Sequence, residues 1–527
     1  MHGAHDSVQN RWEYSLAAGW WRPVSALPLL SRGGMATSTA ATTRASVGDE
    51  FRVLLGCLVD KPSVGSPPIS MALLSFLDRE HSVASENYSR WLVPPAALAI
   101  HLSIGQAYAF SVFNLPLSQR IGVTQSAPGD WKLSTIGWVF SVAIVFLGLS
   151  AALFGPWLER VGPRKAMFVS ALCFGGGFEI ASLGVATHQF WLLLLGYGVL
   201  GGIGLGVGYI SPVTTLIKWF PDRPGMATGM AIMGFGGGAM IASPLSTMLM
   251  ARFRTETAPG VASTFVALGI LYFCFMMFGV FTVRVPRTGW KPEGWTPPER
   301  PSAMMTQGNV TAEKALSTPQ FWLLWAVLCL NVTAGIGVLG QASPMIQEMF
   351  PGTITAAAAA GFVGLLSLAN MAGRFFWSSL SDYIGRKGVY ATFFALGAAL
   401  YAIVPSTGRA HNVALFVAGY VVILSMYGGG FATIPAYLRD MFGTHQVGAI
   451  HGRLLTAWST AGVLGPVLVN YIREYEISHG VAKADAYTMT MHIMAGLLVV
   501  GFICNLVVRP VDQRHTMEYE IPTPRPA

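Results

Sequence analysis

The chain has 527 residues, of which only 11% are charged while 53% are hydrophobic. Soluble proteins carry about 25% charged residues, because charge has to cover their surface. The composition therefore excludes a soluble protein and favours one that is surrounded by lipid. The formal net charge of +8 does not indicate nucleic acid binding, because the basic residues lie in short loops and form no basic stripe with interleaved aromatic residues.

Residues 1–90 differ from the rest of the chain. They are rich in Ser, Ala, Arg, Pro and Gly and show no sustained hydrophobic periodicity. The longest apolar stretch, at residues 24–30, is too short to span a membrane and makes a poor signal peptide. We predict a disordered extension, with a targeting segment as the alternative. Met71 opens a short amphipathic segment and is an alternative start of the chain.

From Trp91 onward, apolar segments of about 20 residues recur, the length that a helix needs to cross the hydrocarbon core. We predict an all-α membrane protein with twelve transmembrane helices in two pseudo-symmetric six-helix halves, residues 91–283 and 319–508, joined by a cytoplasmic linker at 284–318 and followed by a tail at 509–527. The predicted segments are 91–113, 133–155, 165–186, 189–214, 226–250, 261–283, 319–341, 354–377, 388–405, 412–436, 449–471 and 488–508.

The distribution of Lys and Arg predicts the orientation of these helices. Most of them lie in loops on one side, among them Arg164, Lys218, Arg287 and Arg386. Cytoplasmic loops carry an excess of Lys and Arg. We therefore predict a multi-pass protein of the cell (inner) membrane with both termini in the cytoplasm.

A loop pattern occurs twice, after the second predicted helix of each half. The first copy runs from Gly155 to Lys165 and the second from Ser378 to Lys387. Both resemble G-x-x-x-D-R-x-G-R-K, and this repeat in a six-plus-six arrangement resembles the major facilitator superfamily. The residues that we predict to act in conformational change are Gly155, Glu159, Arg160, Gly162, Arg164, Asp382, Gly385 and Arg386.

Motifs of catalysis and cofactor binding are weak in this sequence. The glycines Gly196, Gly198 and Gly201 fit the dinucleotide pattern G-x-G-x-x-G, but they lie inside an apolar segment with no strand before them. Helix packing is the better interpretation, because the dinucleotide fingerprint needs a strand, a turn and a helix N-terminus. We predict no enzyme activity, no cofactor, no metal site and no nucleic acid partner.

Ionisable residues inside the predicted helices are the best indication of function, since a charge there costs about 2.5–3.5 kcal/mol on insertion scales. They are His101, Glu179, Arg374 and His492. Arg374 has no carboxylate one helical turn away, and its planar guanidinium matches a carboxylate in bidentate fashion. It therefore predicts an anionic substrate, with a structural pair to Glu179 as the alternative. Either His101 or Glu179 could carry a coupling proton.

Four stretches of the sequence resemble the oxalate/formate antiporter family. They are Gly105–Ser111, Lys218–Gly225, Thr318–Trp322 and Gly373–Arg386. The resemblance implies that Arg374 binds substrate and that aromatic residues surround it. At the matching positions this chain has Tyr108, Tyr209, Phe235, Tyr427 and Phe431.

One position departs from the family pattern. The resemblance implies a second cation, a lysine on the eleventh helix, but this chain has Trp458 there. A dianion would leave one charge uncompensated in a low-dielectric site. We therefore expect a monocarboxylate, such as formate, pyruvate, lactate or glycolate, rather than oxalate.

The sequence leads to one main hypothesis and two alternatives. We expect a monomeric secondary transporter of a small carboxylate anion, working by anion exchange or proton symport in the lipid bilayer. The alternatives are an oxalate/formate antiporter proper and a solute-sensing receptor built on a transporter fold.

Overall fold

The computed structural model describes residues 75–296, 304–306 and 308–517. Within this part of the chain, twelve helices are long and apolar enough to span a membrane, which confirms the predicted fold class. We number them in chain order: α1 (Arg90–Leu117), α2 (Leu133–Val161), α3 (Pro163–Ala186), α4 (Phe190–Trp219), α5 (Pro224–Phe253), α6 (Val261–Thr282), α7 (Pro319–Met349), α8 (Ala356–Ile384), α9 (Arg386–Arg409), α10 (Val413–Phe442), α11 (Val447–Ser478) and α12 (Thr488–Val507).

Several helices extend further than predicted at one end of the bundle. We call this the basic end, because the two repeated loops with their Lys and Arg residues lie there. Here α2 continues to Val161, α4 to Trp219 and α8 to Ile384. The additional turns contain charged residues, including Glu159, Lys218 and Asp382. A search for apolar segments stops at such residues, although the helical hydrogen bonds continue through them.

Three helices are irregular along their length. In α1 an α-helical segment is followed by a 3-10 segment, Gly105–Phe113, and in α4 the segment Leu194–Gly201 is a π-helix. In α11 one helix ends at Leu454 and the next begins at Thr456. Departures from α-helical geometry of this kind often accompany functional sites. Tyr108 lies in the irregular part of α1, and Trp458 follows the break in α11.

The two halves pack closely at the basic end through small residues. A Cβ atom at Gly155 in α2 would lie 2.8 Å from the Cα atom of Ala449 in α11. A Cβ atom at Gly225 in α5 would lie 2.2 Å from the carbonyl oxygen of Ser378 in α8. Small residues let helix backbones approach in this way. The pairs α2–α11 and α5–α8 therefore hold the basic end closed.

The structure differs from the prediction of disorder at residues 75–90. This segment forms the 3-10 turns Ser75–Leu77, Glu80–Ser82 and the start of Arg90–Leu92. The amide nitrogen of Ala84 donates to the carbonyl oxygen of Val285 at 2.9 Å, and Arg90 pairs with Asp222 at 2.6 Å. These partners are distant in sequence, so local periodicity gives no indication of the order. Residues 1–74, the rest of the predicted extension, lie outside the described residues.

Candidate functional site

Arg374 lies in α8 at the boundary between the two halves and has no exposed surface. Its Nε donates to Asn370 Oδ1 at 3.1 Å, and its Nη1 donates to the carbonyl oxygen of Ile232 in α5 at 3.4 Å. Its Nη2 makes no hydrogen bond of normal geometry. No ion pair in the described part of the chain includes Arg374. The guanidinium is therefore a buried positive charge without a counterion.

Two glycines make room for this arginine. A Cβ atom at Gly236 in α5 would lie 2.9 Å from Arg374 Nε, and a Cβ atom at Gly373 would lie 2.1 Å from the carbonyl oxygen of Ser425 in α10. A larger side chain at either position would push α8 away from its neighbours. The Gly373-Arg374 sequence thus places the guanidinium against α5 while α8 packs on α10.

Aromatic rings surround the guanidinium. The rings of Phe235 in α5 and Phe431 in α10 lie 5.6 and 5.2 Å from the guanidinium carbon. The ring of Trp458 in α11 lies 4.6 Å from Phe431 and 5.3 Å from Phe235. Tyr209 in α4 packs against both Phe235 and Trp458. These contacts form an apolar cluster in which electrostatic interactions are strong.

Two tyrosines close the cluster on another side. The hydroxyl groups of Tyr108 in α1 and Tyr427 in α10 are 3.2 Å apart, which connects the two halves. The ring of Tyr108 packs edge-on against Phe235 at 5.0 Å, and the ring of Tyr427 packs against Phe431 at 5.2 Å. The structure thus brings together all seven residues that the sequence suggested for the pocket.

Several buried donors in this cluster lack acceptors at normal geometry. The hydroxyl of Tyr209 and the Nε1 atom of Trp458 make no hydrogen bond of normal geometry, like Nη2 of Arg374. All three side chains are fully buried. Buried polar groups are normally paired. The Trp458 N–H group has no acceptor, and the Arg374 guanidinium and the Tyr209 hydroxyl have only weak contacts, including one with each other. These donors make the cluster complementary to an anion that accepts hydrogen bonds.

His101 in α1 adjoins this cluster. Its Nδ1 atom faces the carbonyl oxygen of Ala231 in α5, and its Nε2 atom lies 3.1 Å from the carbonyl oxygen of Tyr209. The imidazole stacks on the Tyr209 ring, with 5.3 Å between the ring centroids. Of the two residues predicted for proton coupling, His101 is the one that the structure places beside Arg374.

Glu179 and His492 lie elsewhere. The Oε1 atom of Glu179 in α3 is buried without a hydrogen bond, and it would lie 2.5 Å from a Cβ atom added at Gly269 in α6. The Glu179 carboxylate therefore faces α6 and forms no ion pair with Arg374. His492 is exposed on the surface of α12.

The sequence interpretation overlooked His451 in α11. This side chain is buried, and neither ring nitrogen makes a hydrogen bond. Its ring lies 5.9 Å from the ring of Tyr209. The indication was present in the sequence, because a histidine inside the predicted segment 449–471 meets the criterion that identified His101. Asn370, which orients Arg374, was also missed as a site residue, because its role depends on the rotamer of the arginine.

The carboxylates of the repeated loops cap helices of the opposite half. Glu159 Oε1 accepts from the amide nitrogen of Gly448, at the start of α11, at 3.0 Å. The Asp382 carboxylate accepts from the amide nitrogens of Gly225 and Met226, at the start of α5, at 2.9 and 2.8 Å. A carboxylate is favourable at a helix N-terminus, where amide N–H groups are unpaired. These contacts connect the halves at the basic end.

The other residues predicted for the loops have distinct roles. Gly162 and Gly385 have φ angles of 86° and 83°, in the region that glycine adopts without strain, so each lets the chain turn into the next helix. Arg164 and Arg386 are buried and hold neighbouring segments, whereas Arg160 is exposed.

Solved structures with a similar fold are membrane transporters. The fucose transporter FucP in its outward conformation aligns with a TM-score of 0.56 at 14% identity, over 79% of this chain and 99% of that one. The proton:xylose symporter XylE aligns with a TM-score of 0.59 at 15% identity, over 81% and 97%. At such identities the likeness shows the fold alone.

The family follows from the sequence match. The model of the Major Facilitator Superfamily matches residues 96–466 and 353–520, and this chain belongs to that superfamily of transporters. It is 26% identical to the oxalate:formate antiporter of Oxalobacter formigenes over 382 residues, covering 72% of this chain and 83% of that protein. It is 24% identical to apicoplast pyruvate carrier 1 of Toxoplasma gondii over 452 residues, covering 75% and 79%.

Proposed function

We propose that the protein transports a small organic carboxylate by alternating access and that Arg374 binds the carboxylate. The observation that supports this function is the buried guanidinium without a counterion, close to the Trp458 N–H group, which has no acceptor. A buried charge without a partner costs several kcal/mol. A carboxylate compensates it and accepts two parallel hydrogen bonds from the guanidinium. The names of two relatives, an oxalate:formate antiporter and a pyruvate carrier, also refer to small carboxylates.

The aromatic cluster favours a small substrate with one negative charge. Arg374 is the permanent cation of the cluster, and Trp458 contributes a ring and one N–H group rather than a second charge. A monocarboxylate such as formate, pyruvate, lactate or glycolate would neutralise Arg374. We favour these substrates over oxalate for that reason.

Exchange is the mode of transport that this charge arrangement favours. A carrier without substrate would have to reorient with an uncompensated Arg374 in a low-dielectric environment, which is costly. A carrier loaded with a monocarboxylate reorients with a neutral site. We place the basic end in the cytoplasm of the cell, since it carries most of the Lys and Arg residues. Opening it toward the cytoplasm then requires Glu159 and Asp382 to leave the helix termini that they cap.

Substitution of Arg374 tests the proposed function. Arg374→Gln removes the charge, so binding and exchange of every carboxylate should be lost. Arg374→Lys keeps the charge without the planar fork, so affinity should fall roughly tenfold or more while some transport remains. Uptake of labelled formate or pyruvate into proteoliposomes measures both effects.

A matched control distinguishes the loss of the binding site from a general loss of positive charge. Arg252→Gln removes a positive charge from an exposed position of α5 and should leave uptake unchanged. If a folded Arg374→Gln protein transports at the wild-type rate, the arginine is structural and the case for an anionic substrate is lost.

Trp458→Lys tests why a single negative charge is preferred. The substitution adds a second cation beside Arg374, so the ratio of oxalate to formate affinity should rise at a fixed pH, even if both affinities fall with the loss of the ring. Competition against one labelled monocarboxylate measures the ratio. Trp458→Phe keeps an aromatic ring without the charge and serves as the control. An unchanged or lower ratio in folded Trp458→Lys would show that this position does not set substrate charge.

A further inference from the structure

The hydrogen-bond partners of His101 suit its protonated form, whereas its burial disfavours a charge. Both ring nitrogens face backbone carbonyl oxygens, Nδ1 that of Ala231 and Nε2 that of Tyr209. A neutral imidazole has one N–H group, so one of its nitrogens would turn a lone pair toward a carbonyl oxygen. An imidazolium donates to both oxygens. The side chain has no exposed surface, so water does not relieve the mismatch of the neutral form.

The positions of His101 and Arg374 are linked through one turn of α5. His101 contacts the carbonyl oxygen of Ala231, and Arg374 donates to that of the next residue, Ile232. The imidazole and the guanidinium therefore approach the same turn of α5 from α1 and α8.

None of the described groups that face His101 is a carboxylate. Tyr209 in α4 stacks on it, and α5 contributes the Ala231 carbonyl oxygen. Arg374 in α8 contacts the same turn of α5, and His451 in α11 packs against the ring of Tyr209. Protonation of His101 therefore places a second positive charge beside Arg374 without a negative side chain to balance it. In a low-dielectric cluster this is costly unless an anion with two charges is present.

We propose that His101 is a proton-dependent second positive charge of the carboxylate site, neutral when the site holds a monocarboxylate and protonated when it holds a dicarboxylate. The proposal rests on the proposed function, in which Arg374 binds a carboxylate. A dianion balances Arg374 together with the imidazolium, and a monoanion balances Arg374 alone. The proton and the dianion bind together, so each raises the affinity for the other by the same factor.

The preference for one negative charge then applies to the substrate together with its proton. A dicarboxylate accompanied by one proton carries the same net charge as a monocarboxylate. Exchange of one for the other then moves no net charge across the membrane. The site selects a fixed total charge, and pH decides which class of carboxylate meets it.

The experiment is a pair of competition curves at several pH values. The purified full chain binds labelled formate, and unlabelled formate or oxalate competes between about pH 5.5 and 8, where carboxylic acids stay ionised and histidine titrates. We expect the ratio of oxalate to formate affinity to rise as the pH falls, by up to about tenfold per pH unit for one linked proton. A wild-type ratio that does not change with pH overturns the proposal.

Variants assign the effect to one histidine. In His101→Gln the ratio should be independent of pH, whatever the absolute affinities. His492→Gln, which removes a histidine from the exposed surface of α12, should keep the wild-type slope. A slope that persists in His101→Gln, or that is lost instead in His451→Gln, overturns the assignment to His101.

A second measurement does not depend on a variant that folds. Calorimetric titration of the wild-type protein in two buffers with different ionisation enthalpies gives the number of protons bound with each ligand. Oxalate should take up as much as one proton and formate none; equal proton uptake for both overturns the proposal. If neither acid binds at any pH, the proposed function itself fails. If formate binds and the ratio stays constant, only the role of His101 fails.

Discussion

The loop between α2 and α3 and the loop between α8 and α9 share a residue pattern but obtain their contacts from different parts of the chain. In both loops a carboxylate caps a helix of the opposite half, Glu159 at Gly448 and Asp382 at Gly225. The difference lies in the basic residue that follows the glycine. It determines how each loop is held in place.

Arg386 in the second loop is paired with carboxylates. It contacts Asp382 at 2.6 Å and Asp440 in α10 at 3.1 Å. Arg164 in the first loop pairs with no carboxylate among the described residues and donates to backbone carbonyl oxygens instead. These belong to Phe76 at 2.7 Å and His81 at 3.1 Å, with Val283 at 3.2 Å.

The comparison shows that the N-terminal segment belongs to the first half. Each loop has an ion pair within its own half, since Glu159 in the first loop pairs with Lys218 at 3.1 Å. The two arginines differ, because Arg386 is held by carboxylates of its own half whereas Arg164 depends largely on residues 76–81. Arg79 also lies over the first loop, because a Cβ atom at Gly162 would lie 3.1 Å from its side chain, while one at Gly385 would meet no described atom within 4 Å. Two copies of one motif thus rely on different supports.

The largest change in the free energy of unfolding is expected for the two loop arginines, and it should differ between them. Arg386→Gln leaves Asp382 buried without its cationic partner and should lower the free energy of unfolding by about 3 kcal/mol. Arg164→Gln removes donors from carbonyl oxygens only and should cost about 1.5 kcal/mol. Denaturant unfolding of both variants in detergent measures the difference. Equal costs would mean that the ion pairs of the second loop add nothing to the backbone contacts of the first.

A smaller effect is expected from the capping carboxylates. Asp382→Asn weakens hydrogen bonds to two amide groups and the buried ion pair with Arg386, and should cost about 2 kcal/mol. Glu159→Gln weakens one amide hydrogen bond and the more exposed ion pair with Lys218, and should cost about 1 kcal/mol. Both variants should also open the basic end more often. Labelling of a cysteine introduced at Thr214, which is buried below the first loop, measures that opening.

The control for this comparison is Glu86→Gln, which removes an exposed carboxylate that pairs with Arg287 at the same end of the molecule. It should change neither stability nor labelling, because exposed ion pairs contribute little. If Glu159→Gln costs as much as Asp382→Asn, neither the second capped amide group nor the more buried ion pair of Asp382 decides the contribution of these carboxylates.

Much of this fold is predictable from the sequence, because an apolar segment of bilayer length has few alternatives to a membrane-spanning helix. The helix ends at Val161 and Ile384 were not predictable from apolar length, since their last turns contain charged residues. The ordered structure of residues 75–90 was also not predicted from the sequence. It depends on Arg164 and Val285, which lie far away in the sequence.

The functional site was predictable where a single residue was informative by itself. A charge inside a predicted helix pointed to Arg374, and a family resemblance supplied the aromatic positions. The sequence could not show whether Glu179 faces Arg374 or α6, because helical periodicity does not fix how helices rotate against one another. It also could not show the two carbonyl oxygens around His101, since backbone acceptors leave no pattern in side chains.

The smallest effect concerns the chain before the first 3-10 turn. A chain that starts at Met71 keeps Phe76 and His81, the residues whose carbonyl oxygens accept from Arg164. Residues 1–70 also show no span and no core-forming pattern in the sequence. The shortened chain should therefore insert, exchange carboxylates at the wild-type rate and unfold within about 0.5 kcal/mol of the full chain. Membrane insertion, proteoliposome flux and denaturant unfolding measure this.

A second truncation makes that result informative. A chain that starts at Arg90 loses two of the three carbonyl acceptors of Arg164, those of Phe76 and His81. It also loses the ring of Phe76, which stacks on Phe281 at 5.4 Å. It should lose at least as much stability as Arg164→Gln. Combining it with that substitution should cost little more, because both remove the contacts to Phe76 and His81 and only the hydrogen bond to Val283 is left to lose. Additive losses would show that residues 75–89 stabilise the first half independently of Arg164. A loss of flux in the Met71 chain would instead place a functional element before Met71.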